Sequence, residues 1–440
     1  MLIYRLVLDE SLSIYKEEVG FVFVYLEYCY SIKKLLNGHC DVIISYGKSP
    51  SDGCNVHVPS TLFRSCTEVS HDGIHLVNRK PVLESLVAIQ NKTSELFYVD
   101  GNGVIIFKYD LIAIAFILLS RIEERGSMNL DKHKRYSIES DLMFNAGVYG
   151  RPIVDEFMDE FILQAFGGLA EYETNFDIDL THDVDRLRSY HSVWSSAKMV
   201  IGDFVKRKDI TLAKNRTLKE FDLREPWQSL NILLTIYSHF NLKATFFLMG
   251  SSIDPMDSTY ATSMKPLLNK YINILVDNGH NVGLHPGYRT FDNLIEYKNQ
   301  KESIEKIVGK EINYARQHVL RFNIEKTPAI ASAAGITSDC TLAYPEALGF
   351  RNGTCRGVKA YDFNNRECID IMLYSSSIMD FTLHGGKYID IDENYAFELA
   401  ISMVNYCKKY RGRLITLYHT GHMLTVYHDF YNLLLKSIYH

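Results

Sequence analysis

Residues 174–185 read T-N-F-D-I-D-L-T-H-D-V-D, and the rest of the chain is organised around them. Phe176, Ile178 and Leu180 alternate with Asp177, Asp179 and Thr181, the period-two pattern of a short strand. The alternation stops at Asp183-Val184-Asp185. Two carboxylates one residue apart at a strand's carboxyl end can be aimed at one site. There one can bind a cation while the other takes a proton. Aspartates are also common where a turn leads into a helix, and an isolated D-x-D is a weak signal. The segments that follow decide between the two.

Downstream, strands and helices alternate. Strands are expected over 244–249 (A-T-F-F-L-M), 281–285 (N-V-G-L-H), 314–319 (Y-A-R-Q-H-V), 336–342, 369–374 and 414–419 (L-I-T-L-Y-H). Helices are expected over 227–240, 264–278, 293–308, 324–334, 395–410 and 426–437, three of them closed by Gly279, Gly309 and Gly335. A polar stretch after the first strand, carrying Lys206, Arg207, Lys208, Lys214 and Arg216, reads as a solvated insertion. Strands alternating with helices at this spacing imply a parallel sheet with helices outside. About seven strands with no obvious edge suggest a closed or nearly closed barrel, whose site lies at the carboxyl ends of its strands.

Polar groups collect at those ends. Asp183 and Asp185 follow the first strand, and His285 ends the third. Arg316 and His318 lie on the fourth, and His419 ends the last. Each has an ordinary reading alone: a strand-end cap, an arginine paired with a structural acid, a satisfied core histidine. Together, on separate strands, they suit metal-assisted hydrolysis. A cation polarises a carbonyl and water, a carboxylate takes the water's proton, and a histidine protonates the leaving group.

Residues 174–425 resemble the polysaccharide deacetylase superfamily, carbohydrate esterase family 4. T-H-D-V-D is similar to its first motif, G-H-N-V-G-L-H to its second, and L-I-T-L-Y-H to its last. The resemblance implies an α/β fold, a distorted (β/α)7-8 barrel. It implies Asp183 as general base, Asp185 and His285 as metal ligands, Arg316 as the arginine orienting the base, and His419 as general acid. G-L-H-P-G-Y, R-Q-H-V-L-R-F and G-F-R-N-G-T-C-R look like a bacterial subgroup with an uncharacterised N-terminal domain. The segment 110–136 fits such a domain.

The chain departs from the family pattern in three respects. Arg289 stands where the second motif supplies another histidine. His318 could replace that ligand from the next strand, with Tyr288 or water as other candidates; alternatively there is no metal and Arg289 supplies the charge. The proline of the arginine motif is absent. Asp339 and the loop with Arg351, Asn352 and Arg356 have no counterpart; they read either as a rim for phosphate or uronate groups or as plain loop structure. Cys355 in that loop is a candidate reactive thiol.

Upstream, residues 1–170 are expected to form a small α/β accessory domain, with the barrel over 171–440. Strands are expected over 22–26 and 42–46. A hairpin over 96–107 is expected around Asp100-Gly101-Asn102-Gly103. A buried helix is expected over 111–125, and an amphipathic one over 153–169. His133 reads as solvated, and no catalytic constellation stands out here.

The 440 residues suffice for two domains. A hydrophobic content of 47% supports a sizeable core, and a net charge of −6 argues against nucleic acid as a partner. Eight scattered cysteines without a C-x-x-C pair look like reduced thiols. M-L-I-Y-R-L-V-L-D-E has no basic segment followed by an apolar one, and the apolar run 111–119 is too short to span a bilayer. The expectation is a cytoplasmic hydrolase with a divalent cation: zinc, cobalt or nickel. It would remove N-acetyl or other acyl groups from an amino sugar or glycan precursor in surface-polysaccharide metabolism. The competing readings are a degenerate barrel that binds glycan within a synthesis assembly, and a hydrolase of another non-peptide C–N bond.

Overall fold

The computed structural model describes residues 1–35, 38–91, 96–187, 228–258, 260–384, 393–424 and 427–439. The basic insertion, the start of the helix at 227 and the start of the last helix at 426 lie outside the described residues.

The N-terminal region builds β1 (Leu2–Leu8), β2 (Ile32–Lys34), β3 (Val42–Gly47), β4 (Val56–Pro59), β5 (Thr67–Ser70), β6 (Gly73–Leu76), β7 (Phe97–Val99) and β8 (Ile105–Phe107). Six of them form one sheet in the order β2-β1-β3-β4-β8-β7, and β5 and β6 pair separately. The expected hairpin is β7–β8, the antiparallel pair of an otherwise parallel sheet. The strand expected at 22–26 is instead part of the helix Lys16–Cys29. Val19, Phe21, Val22, Phe23, Tyr25 and Leu26 are all buried there. A helix apolar on most of its circumference loses the 3.6-residue signature and mimics a strand. The helix expected over 111–125 stops at Ser120, where Arg121 turns left-handed, and a 3-10 turn Ile122–Glu124 follows.

The C-terminal region builds β9 (Asp177–Asp183), β10 (Thr245–Leu248), β11 (Asn281–Leu284), β12 (Tyr314–Ala315), β13 (Ser338–Leu342), β14 (Val358–Asp362), β15 (Glu367–Ser375), β16 (Ile378–Met379) and β17 (Arg413–His419). They form one nine-stranded sheet, β14-β15-β13-β12-β11-β10-β9-β17-β16, parallel except for β14–β15. Where a closed or nearly closed barrel is expected, the sheet among the described residues is not closed, and β14 and β16 are its end strands. Only Ser376 and Ser377 separate β15 from β16, and their amides serve different neighbours. Ser376 N donates to Leu342 O of β13 at 3.0 Å, and Ser377 N donates to Ile415 O of β17 at 3.1 Å. Two residues of pairing in β16 are too few to carry a ladder further. The strand expected over 314–319 is also shorter than read. It ends at Ala315, and a turn His318–Leu320 follows.

Register brings the strand ends level. Asp183 pairs with both Phe247 and His419, and Leu284 pairs with Ala315. Gly283 in β11 has no room for a side chain, because a Cβ would sit 2.5 Å from the Phe247 ring. That ring lies under the Arg316 guanidinium, 4.7 Å away.

The R-N-G-T-C-R loop is not a ligand rim. Arg351 and Arg356 are each 1% exposed and face acids of the N-terminal region. Arg351 pairs with Glu124 at 2.7 Å, and Arg356 with Asp155 at 3.3 Å and Asp159 at 3.2 Å. Asn352 is buried and accepts from Ser375. Asp339 is buried too, its carboxyl pushed up to about 6 by burial against the Thr341 hydrogen bonds. Burial likewise drives the Cys355 thiol well above its ordinary value, the opposite of what a reactive cysteine needs. All eight cysteines are unpaired. No helix among the described residues is long and apolar enough to cross a membrane.

Candidate metal centre and acid–base site

The carboxyl ends of β9, β11, β12 and β17 bring Asp183, Asp185, His285, Arg316, His318 and His419 into one site. Asp185 is at its centre. Its Oδ1 lies 3.5 Å from His285 Nε2 and 3.9 Å from His318 Nε2, and its Oδ2 lies 3.7 Å from His419 Nε2. The side chain is 37% exposed, yet Oδ1 is shut off from solvent and has no hydrogen-bond partner among the described residues. Burial raises its carboxyl pKa, but His285, His419 and His318 outweigh that and hold it far below the usual range.

The three rings are oriented from behind. His285 Nδ1 donates to the Arg316 carbonyl at 2.6 Å. His318 Nδ1 faces Asp257 Oδ1 at 3.0 Å, and His419 Nδ1 faces Asp380 Oδ1 at 2.9 Å. With Nδ1 committed behind, each ring points Nε2 towards Asp185. Burial lowers the His285 pKa, but Asp183 and Asp185 more than offset it, leaving it raised. Burial also opposes charge on His419, yet Asp380, Asp185 and Asp183 push it up to about 10.

Asp183 is 3% exposed and accepts from the Arg316 guanidinium at 2.9 Å. Arg316 is fully buried and also donates to Thr181 Oγ1 at 2.7 Å and Ser376 Oγ at 3.0 Å. A planar fork tied at several points cannot swing, so it fixes the Asp183 carboxylate in one orientation. Asp183 Oδ2 then lies 3.9 Å from His285 Nε2, on the side facing the cluster.

The donors fit a divalent cation. Ligand atoms of Asp185, His285 and His318 all lie within 4.8 Å of one another. One carboxylate and two imidazoles, with further positions open, is the donor set of catalytic zinc sites, and the partners behind the rings are what such sites use to set tautomer and direction. Arg289 does not occupy this cluster. Its side chain is 61% exposed and pairs with Asp254 at 2.6 Å. Tyr288 is also turned elsewhere: its hydroxyl faces His133 Nδ1 at 3.3 Å. His133, read as solvated, is only partly exposed and packs on that ring.

Sequence reasoning missed Asp257 and Asp380. Asp257 sits in the S-S-I-D-P-M-D-S loop after β10, and Asp380 directly follows β16. The only available signal was that each acid follows the carboxyl end of a strand.

Comparisons with known proteins are distant. A model described as a family of unknown function (DUF7033) matches residues 15–165. No curated protein matches the chain. Among solved structures, a candidate polysaccharide deacetylase from Mycobacterium smegmatis is 14% identical, with 60% of this chain and 84% of that one covered at a TM-score of 0.39. A CE4 family pseudoenzyme from Bacillus anthracis is 12% identical, with 60% and 62% covered at 0.31. The chitin deacetylase of Colletotrichum lindemuthianum is 14% identical, with 60% and 84% covered at 0.31. At these identities and TM-scores the likeness is too distant to bear on chemistry.

Proposed function

We propose that this protein is a metal-dependent hydrolase that removes an acyl group, N-acetyl first among them, from an amino sugar or glycan precursor. The observation that carries this is Asp185 Oδ1, buried, without a hydrogen-bond partner among the described residues, and facing the Nε2 atoms of His285 and His318. Those three residues would hold the cation, for which zinc, cobalt and nickel all suit the donors. A cation bound there would polarise the amide carbonyl and make water more acidic.

The chain's own groups do the proton work. Asp183, locked by Arg316, takes the proton of the attacking water through its free edge. His419, with Nδ1 committed to Asp380, presents Nε2 to the departing nitrogen and supplies its proton. Such paired acid and base contribute about 10²–10⁴-fold each. The barrel-type reading of residues 171–440 is supported by the switch of Ser376 and Ser377 from one neighbour of the sheet to the other. The unpaired thiols suit the cytoplasm. A substrate there would be a lipid-linked or nucleotide-linked sugar rather than a finished wall polymer.

The glycan-binding alternative leaned on Arg289 as an intruder among the ligands. With Arg289 on Asp254 and His318 facing Asp185, that support is gone. The test is metal content by plasma mass spectrometry together with acetate release from N-acetylated sugars. About one metal per chain, lost in Asp185→Ala, His285→Ala and His318→Ala, with acetate released only by the loaded wild type, is the expected result. A wild type that takes up no zinc, cobalt or nickel would sink the proposal.

A further inference from the structure

His318 is followed by two residues in a conformation that side chains avoid. Val319 has φ +60° and Leu320 has φ +54°. A β-branched residue in the left-handed region is a genuine outlier, and it persists only where surrounding groups hold it. Some of those groups come from the N-terminal region. Arg135 donates from a guanidinium nitrogen to the Val319 carbonyl at 3.0 Å. Arg135 is itself fixed by Asp131, whose carboxylate lies 2.6 Å from its other terminal nitrogen. Arg321, the next residue of the turn, donates to the His133 carbonyl at 3.0 Å and to the Tyr288 carbonyl at 2.7 Å. Its guanidinium lies over Tyr288 at 4.2 Å and over Phe291 at 3.9 Å. The turn bearing His318 is thus clamped between the 131–135 loop and the segment that follows His285.

We propose that the 131–135 loop is a working part of the metal centre, with Arg135 as the positioning residue that sets the direction of His318. The N-terminal region is then not a separate accessory. It completes the geometry of a ligand borne by the other half of the chain. This rests on the metal reading above.

The test uses full-length apoprotein and Co²⁺ as the probe, read by titration and by its visible absorption band. Arg135→Ala is expected to weaken cobalt binding about 10–100-fold, the usual effect of losing a group that orients a ligand, and to alter the band. Arg135→Lys, which can still donate to the Val319 carbonyl, recovers part of both. Asp131→Asn, which loosens Arg135 without removing it, shifts both less and in the same direction. Arg125→Ala is the control. Arg125 bonds to Glu325 and Asn364, another contact between the two halves, and its loss should leave cobalt binding as in wild type. Wild-type binding with an unchanged Arg135→Ala would overturn the positioning role and leave the metal centre standing. Equal weakening by Arg125→Ala would overturn it too, since general loosening would then suffice. A wild type that binds no cobalt overturns both readings together.

Discussion

Asp257 Oδ1 lies 3.0 Å from His318 Nδ1, and that contact leaves only Nε2 of the ring to face Asp185. Asp257 is itself held: it accepts from the Tyr288 amide at 2.7 Å and from the Asp254 amide at 3.3 Å. Even the glycine before Tyr288 serves this arrangement, since a Cβ on Gly287 would sit 2.7 Å from the carboxylate. The carboxylate therefore has one position, and His318 one orientation.

Asp257→Asn keeps the size and, through its carbonyl oxygen, the Tyr288 amide; it gives up the longer Asp254 contact and removes the charge behind His318. Zinc affinity, measured by competition with a chromophoric chelator, should fall about 10–100-fold. Thermal stability of the apoprotein should change little. Unchanged zinc affinity would show that His318 is not a ligand.

Asp380→Asn tests the other carboxylate–histidine pair. Asp380 holds both the ring and the amide of His419, at 2.9 and 2.7 Å. Among the described residues it accepts from His419 and the Phe381 amide rather than from the metal donors, so loading should survive. If His419 is the acid for the leaving nitrogen, kcat for acetate release should drop by about 10²-fold or more with KM nearly unchanged. A rise in KM alone would assign His419 to substrate binding.

How much of this was legible in the sequence differs by residue. Asp183, His285 and His419 could be read because each terminates an apolar run, and a polar residue at the end of a strand stands out. Asp257 and Asp380 could not, since loop acids carry no periodicity and their partners lie 61 and 39 residues away. The strand over 22–26 failed because a helix buried on most sides shows no polar stripe. Arg351 and Arg356 sit in a glycine-containing loop, which favoured an exposed reading. Their partners Glu124 and Asp155 are 227 and 201 residues distant, beyond any local pattern.

His182, between the strand's apolar run and Asp183, is fully buried. Its Nδ1 donates to the Tyr418 carbonyl at 3.1 Å, and its Nε2 accepts from the Tyr237 hydroxyl. Burial lowers its pKa to about 3, and burial together with Lys243 lowers that of His280 to about 4. Unfolded, both would titrate near 6.5. Between about 6.5 and these folded values the unfolded chain binds more protons. Stability is thus full above pH 6.5 and falls with acidification, by up to about 1.4 kcal/mol per pH unit for each histidine. His182→Asn retains a donor for the Tyr418 carbonyl and cannot titrate. Urea midpoints from pH 7 to pH 4.5 should fall less steeply for this variant than for wild type, even though it starts lower. Parallel curves would mean that His182 is charged in the fold.

Glu124 joins the two halves of the chain by ion pairs: Arg351 at 2.7 Å from the C-terminal half and Arg121 at 2.8 Å from its own, all three side chains being at most 3% exposed. Removing one member of a buried network leaves charge without compensation, which costs about 3–5 kcal/mol. Glu124→Gln preserves shape and should still lower stability by roughly that amount, measured by urea unfolding at pH 7. The exposed pair Lys359–Asp370, with side chains 40% and 92% exposed, supplies the contrast. Lys359→Ala should cost about 1 kcal/mol or less. The consequence of Glu124→Gln extends into the C-terminal half, because Arg351 also donates to the Ala343 carbonyl at 3.1 Å and lies over the Tyr344 ring at 4.4 Å, just beyond β13. If the two halves fold as one unit, near-ultraviolet and far-ultraviolet circular dichroism should report the same shifted midpoint. Separate midpoints would show that the N-terminal half can come away while the rest stays folded.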